Sequence, residues 1–221
     1  MEPPVGVDAA SLSEEKLKVL RAMKSVNPRQ VVRGQYKGYR DENNVSSDST
    51  VETFAALRLE IDSWRWAGVP FFVRAGKSMS TSTTEALIEF RRPPRILFAG
   101  EGMIPHPNHL LFRLGHDEGV ELSLQAKEPG NKMVSRTVNF EVDYDEVFDD
   151  QGPEAYERLL EAAMEGDHTL FARQDAVEEA WRVVTPVLLD PGPIYEYKPG
   201  SWGPVEAASM CSGFGEWHNP A

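Results

Sequence analysis

Thr53-Phe54-Ala55-Ala56-Leu57-Arg58-Leu59-Glu60-Ile61 begins as an almost continuous apolar run and ends in strict alternation. That pattern predicts a strand buried on one face and partly on the other. Trp64, Trp66, Gly68 and Pro70 break the run. Upstream, Val31 to Tyr36 is a short β-branched and aromatic strand, and the Asn-, Asp- and Ser-rich stretch from Lys37 to Ser49 reads as a surface loop. Downstream, strands are predicted at Pro70 to Arg74, Glu85 to Phe90, His109 to Leu114, Val120 to Ala126 and Ser135 to Tyr144. Turn signals at Arg92-Pro93-Pro94, Asp117-Glu118-Gly119 and Pro129-Gly130 separate them. Short connections between consecutive strands imply antiparallel pairing.

Both flanks of this strand-rich middle read as helical. Ser11-Leu12-Ser13-Glu14 has the form of a capping box, and Leu17, Leu20 and Met23 share a face of a helix expected to reach about Lys24. After Pro153 the period is again helical: Tyr156, Leu159, Leu160 and Ala163 form one stripe, and Ala176, Ala180, Trp181 and Val184 form another that should end before Pro186. Strands first and helices afterwards predict an α+β fold.

The chain has 221 residues, 41% hydrophobic and 26% charged, which is ordinary for a globular protein. Its net charge of −12 repels phosphate backbones and anionic lipid, so nucleic acid and membranes are excluded as expected partners. The excess acid lies between Glu141 and Ala180, a solvated helical face and an acidic loop from Asp143 to Asp150. Cys211 is the single cysteine and cannot pair within the chain. With no signal-peptide pattern and no long apolar run, a cytoplasmic, soluble protein is expected.

Chemistry is concentrated in one place. Val69-Pro70-Phe71-Phe72-Val73-Arg74-Ala75-Gly76-Lys77 is a buried-looking strand ending in a glycine, which allows close backbone approach, and a lysine placed to meet an anionic or hydroxyl-rich ligand. A solvated turn charge is the simpler reading of Lys77, and an ion pair to a core carboxylate that of Arg74. The five histidines, His106, His109, His116, His168 and His218, have no metal-binding spacing. No metal site and no nucleotide loop is visible.

The blocks Arg33-Gly34-Gln35-Tyr36, Thr53-Phe54-Ala55-Ala56, Trp64-Arg65-Trp66-Ala67-Gly68-Val69-Pro70-Phe71 and Arg74-Ala75-Gly76-Lys77 resemble the C-terminal domain of glucose-6-phosphate dehydrogenases. Lys127-Glu128-Pro129-Gly130, Ala155-Tyr156-Glu157-Arg158-Leu159-Leu160, Leu170-Phe171-Ala172-Arg173, Glu179-Ala180-Trp181 and Gly200-Ser201-Trp202-Gly203-Pro204 extend the likeness in order along nearly the whole chain. The resemblance implies a large, mainly antiparallel sheet with helices packed on one face. It also implies a helical segment over residues 1–29, continuing from a Rossmann half, and a substrate-binding and dimerisation domain over 30–221. The family oxidises glucose 6-phosphate to 6-phosphogluconolactone with NADP in the pentose phosphate pathway.

Met1-Glu2-Pro3-Pro4 is similar to a segment that follows the family's catalytic histidine, so the dinucleotide fingerprint and the general base are expected to lie outside this chain. The resemblance therefore implies no catalytic residue and no NADP bound by this chain alone, and an isolated chain that is inactive. Lys77 matches the lysine that contacts glucose 6-phosphate, Arg74 the arginine before it, and Ser82 stands where many members carry a second basic residue. A second, structural NADP found in eukaryotic members is not expected, because Thr83, Leu87 and Glu121 replace its ligands although Arg113 persists. A homodimer through the sheet is implied as well. The alternatives are a non-catalytic dimerising or regulatory module and half of a split dehydrogenase.

Overall fold

The computed structural model describes residues 2–92, 106–115, 118–147 and 155–220. The Pro93-Pro94 turn, His116, Asp117 and the Phe148 to Asp150 end of the acidic loop lie outside the described residues. The chain divides into two compact units, residues 1–80 with 153–217, and residues 81–152 with 218–221.

The first unit holds helix α1 (Ala9–Ala22) and strands β1 (Val31–Tyr36), β2 (Phe54–Glu60) and β3 (Pro70–Gly76). The expected capping box is displaced. Asp8 caps α1, its carboxylate accepting from the Ser11 amide at 2.9 Å and the Ser11 hydroxyl at 2.7 Å, while Glu14 pairs instead with Arg173 at 2.9 Å. A carboxylate facing the positive end of a helix is a stronger acceptor than a serine hydroxyl. The Ser11 contacts hold the Asp8 carboxyl below its ordinary value of 3.8. Its contribution is therefore complete above that value and is lost as pH falls through the lower folded-state value. Asp8→Asn is expected to keep the cap but lose this part of the acid-side fall in stability, as read from thermal melts between pH 2 and pH 5.

Helix α1 ends at Ala22, short of Lys24, because Met23 bridges to Ile61 and the Lys24 amide bonds the Glu60 carbonyl at 3.0 Å. Leu17 is fully buried on the expected apolar face, and Glu15 is buried too, its carboxylate answered by Lys18.

The second unit holds strands β4 (Thr84–Glu89), β5 (His109–Leu114), β6 (Gly119–Lys127) and β7 (Ser135–Asp143), and its sheet runs β4-β5-β6-β7, antiparallel throughout. Register sorts the side chains of this sheet by chemistry. Ile88, Leu110, Leu122 and Phe140 fall in one row and Phe112, Val120 and Val142 in another of the same face, whereas Glu85, Arg113, Glu121, Ser123 and Glu141 occupy the opposite face, together with Leu87 and the buried Leu111. A four-residue helix α2 (Tyr144–Val147) follows β7.

Helices α3 (Ala155–Glu165) and α4 (Gln174–Leu189) belong again to the first unit, followed by strand β8 (Ile194–Tyr197) and a 3₁₀ segment from Val205 to Cys211. Helix α4 does not stop before Pro186 but runs through it. A proline in a helix leaves the carbonyl four residues earlier without its amide. Here that carbonyl, of Arg182, faces the Ser25 hydroxyl at 3.4 Å, and the next one, of Val183, accepts the Val26 amide at 2.8 Å. The segment after α1 thus supplies donors at the break.

Strand β8 completes the first sheet in the order β3-β2-β1-β8, with β8 parallel to β1 and the other pairs antiparallel. The α+β class holds, with the strands among the described residues forming two four-stranded sheets. Among the described residues no helix is long and apolar enough to cross a membrane.

Candidate functional site

The core of the first unit gathers around Phe54, 1% exposed, with Ala56, Tyr197 and Ala207 buried beside it. Phe54 opens β2, and the register sets it opposite Gly34 of β1 and Gly76 of β3. A side chain at Gly76 would start 2.9 Å from Phe54 Cδ2 and 2.8 Å from Met79 Sδ, so the glycine of the Arg74 to Lys77 block is fixed by packing. The Gly-Ser-Trp-Gly-Pro block closes the other side of the same ring through Gly203. Sequence blocks far apart in the chain are thus one packing unit around one phenyl ring.

Lys77 follows β3 at the edge of this unit. Its amide donates to the Thr53 carbonyl at 2.8 Å, and its carbonyl accepts from the Tyr197 hydroxyl at 2.6 Å. Tyr197 lies edge-on to Tyr36 and tilted against Phe54, with centroids 6.3 and 5.6 Å away. Immediately after Lys77 the chain turns: Ser78 has φ of 50°, and its carbonyl takes the Gly200 amide at 2.8 Å. The Lys77 side chain itself is exposed, and among the described residues its ammonium has no partner. A fixed main chain carrying a free cation is suited to an anionic ligand.

Arg74 is placed differently. Its guanidinium lies over the rings of Trp202 and Trp217, each at 4.9 Å, on the face that holds Phe54. Burial pushes it below its ordinary value, opposed by the neighbouring Cys211. A cation between two indole faces ties the C-terminal segments to β3. Ser82, at the second expected basic position, is exposed and neutral.

In the second unit, Arg113 is engaged by Glu141 at 2.7 Å and lies 3.9 Å from Asp143, and Glu121 stands opposite Glu141 on the same face. A guanidinium already paired with carboxylates in an acidic row has little charge left to offer a phosphate. Among the described residues no group of three His, Cys, Asp or Glu could hold a metal ion.

Sequence reasoning singles out Lys77 and Arg74 and does not single out Tyr197 or Thr53, whose hydrogen bonds hold the Lys77 backbone. The signal was present in Ile194-Tyr195-Glu196-Tyr197, an alternating stretch between Pro193 and Pro199, short enough to be read as a loop.

A family profile described as glucose-6-phosphate dehydrogenase, C-terminal domain, matches residues 1–218. Glucose-6-phosphate 1-dehydrogenase 1 of Mycobacterium tuberculosis is 44% identical over 221 residues, covering all of this chain and 46% of that protein. The enzyme of Aggregatibacter actinomycetemcomitans is 39% identical, with 100% of this chain and 48% of the relative covered. A crystal structure of glucose-6-phosphate 1-dehydrogenase from Mycobacterium avium superposes with a TM-score of 0.90 at 43% identity, over all of this chain and 47% of that one. A glucose-6-phosphate dehydrogenase in complex with its substrate glucose-6-phosphate gives 0.82 at 32% identity, over 100% and 48%. The chain spans about half the length of the curated relatives it matches. By its profile match, its ordered motifs and its superposition, this chain belongs to the glucose-6-phosphate dehydrogenase C-terminal domain family.

Proposed function

We propose that this chain is the substrate-binding and dimerising part of an NADP-dependent glucose-6-phosphate dehydrogenase, and that Lys77 binds the sugar phosphate. The observation that carries this reading is the pairing of a pinned main chain with an unpartnered, exposed ammonium at Lys77. Bound in the whole enzyme, NADP would supply the acceptor for the hydride leaving the sugar. The part played by this chain is to hold the anionic end of glucose 6-phosphate, with Arg74 supporting Lys77 by fixing β3 between Trp202 and Trp217. At about half the length of its relatives, the chain alone is expected to show no turnover of glucose 6-phosphate with NADP.

Apolar surface exposed among the described residues supports the reading of a part completed by other protein. Tyr156, Leu160 and Met164 form one line along α3 and are 82%, 65% and 82% exposed. The apolar face of the β4 to β7 sheet, exposed at Ile88, Phe140 and Val142, supports self-association. A lone, buried cysteine supports a cytoplasmic setting.

Titration of glucose 6-phosphate into the chain, followed by ³¹P NMR, tests the site. Lys77→Ala is expected to weaken binding by about tenfold, the loss of one charge-assisted contact worth about 1.4 kcal/mol. Added salt should weaken the wild-type chain and leave that variant little changed. Equal affinities for the two proteins would remove Lys77 from the site.

A further inference from the structure

Resting on the reading of Lys77 as the sugar-phosphate contact, we infer that Tyr197 and Thr53 are its positioning residues, through a directed chain of hydrogen bonds that ends on the Lys77 carbonyl. The direction follows from counting protons. The Tyr36 amide donates to Thr53 Oγ1 at 3.0 Å, so that oxygen is an acceptor and its own proton is free to point elsewhere. Tyr197 Oη lies 3.0 Å from Thr53 Oγ1, and either oxygen could donate on distance alone. The single phenolic proton, however, is taken by the closest acceptor, the Lys77 carbonyl at 2.6 Å, in preference to the Thr53 carbonyl at 3.2 Å. The threonine therefore donates to the tyrosine, and the sequence is Tyr36 amide, Thr53 hydroxyl, Tyr197 hydroxyl, Lys77 carbonyl.

Thr53 also accepts the Lys77 amide through its own carbonyl at 2.8 Å. Both peptide groups of Lys77 are thus tied to Thr53, one directly and one through Tyr197. The fixed position has a purpose in the backbone beyond it. Ser78 holds a left-handed φ of 50°, an uncommon state for a residue with a side chain that persists where its surroundings enforce it. Without the Tyr197 contact the Lys77 amide still bonds Thr53 and the Ser78 carbonyl still takes the Gly200 amide, but the Lys77 carbonyl between them is no longer held. Burial keeps the Tyr197 phenol above its ordinary value, so it remains a donor across the neutral range.

The test is a double-mutant cycle read by glucose 6-phosphate binding to the chain in ³¹P NMR titrations. Tyr197→Phe keeps the ring against Phe54 and removes only the hydroxyl. It is expected to lower affinity about fivefold beside an intact Lys77 and to have no further effect in the Lys77→Ala background. Thr53→Val, which cannot donate to Tyr197, should reproduce the loss, and Thr53→Ser should restore affinity to within about twofold. Should Tyr197→Phe fold poorly, the Thr53 pair decides alone. Wild-type affinity in Tyr197→Phe or Thr53→Val, or an equal loss with and without Lys77, overturns the inference while the Lys77 reading stands. If Lys77→Ala itself leaves binding unchanged, the Lys77 reading falls first and this inference falls with it.

Discussion

Gly203→Ala should lower the free energy of unfolding by about 3 kcal/mol, from backbone strain and overpacking together. Gly203 has φ of 100°, where an alanine is strained in any surroundings. Its added methyl would also run into the Phe54 ring, meeting Cε2 and standing 2.6 Å from Cζ and 2.9 Å from Cδ2. The ring has little room to withdraw, since its Cδ2 edge is also the atom that faces Gly76. Gly200→Ala separates the two contributions. Its φ of 76° imposes the strain, but nothing lies within 4 Å of the position a side chain would take, so about 1 kcal/mol is expected. Urea denaturation with unchanged m-values checks both, and equal losses in the two variants would show that Phe54 yields without cost.

The contrast between those glycines marks what the sequence made legible. Alternation and β-branching are local properties of the chain, and they place strands β1, β2 and β5 within a residue of their bounds. The sequence ends helix α4 early because the rule for proline assumes that no neighbour satisfies the freed Arg182 carbonyl, and Ser25, which faces it, stands far away in sequence. A capping box is a pattern of residue types and points to Ser11, whereas Asp8 is the stronger acceptor and takes the cap. Strand β8 escaped because its four residues carry too little periodicity to exclude a loop, and only its parallel pairing with β1 makes it a strand.

The strand end marks Lys77 as a candidate for an anionic or hydroxyl-rich ligand, and only the family likeness narrows that ligand to glucose 6-phosphate. What the likeness did not supply is the anchoring of Lys77. Tyr197 and Thr53 are 144 residues apart, and no local pattern connects them. The same holds for the glycines around Phe54. Each block looks like a turn motif on its own, and their shared reason is visible only when the sheet order brings β3, β2, β1 and β8 side by side.

Phe54→Ala is expected to cost about 4 kcal/mol, the usual penalty for emptying a buried aromatic site. The ring is 1% exposed and central to the only buried cluster that joins β2, β8 and the 3₁₀ segment through Ala56, Tyr197 and Ala207 among the described residues. Against a total stability of about 5–15 kcal/mol for a protein of ordinary kind, such a loss leaves a chain near its threshold. Coupling to Gly203 makes the prediction specific. In the Phe54→Ala background the methyl of Gly203→Ala enters the vacated volume, so the overpacking cost disappears and only backbone strain remains. The double variant should be more stable than the sum of its parts by about 2 kcal/mol, a coupling well outside the additivity expected of sites that do not touch. Strict additivity in urea titrations would mean that Gly203 is required for its φ alone. The predicted coupling would instead establish Phe54 as the element that the Arg-Gly-Gln-Tyr, Arg-Ala-Gly-Lys and Gly-Ser-Trp-Gly-Pro blocks are shaped to enclose, and that keeps Tyr197 against the backbone of Lys77.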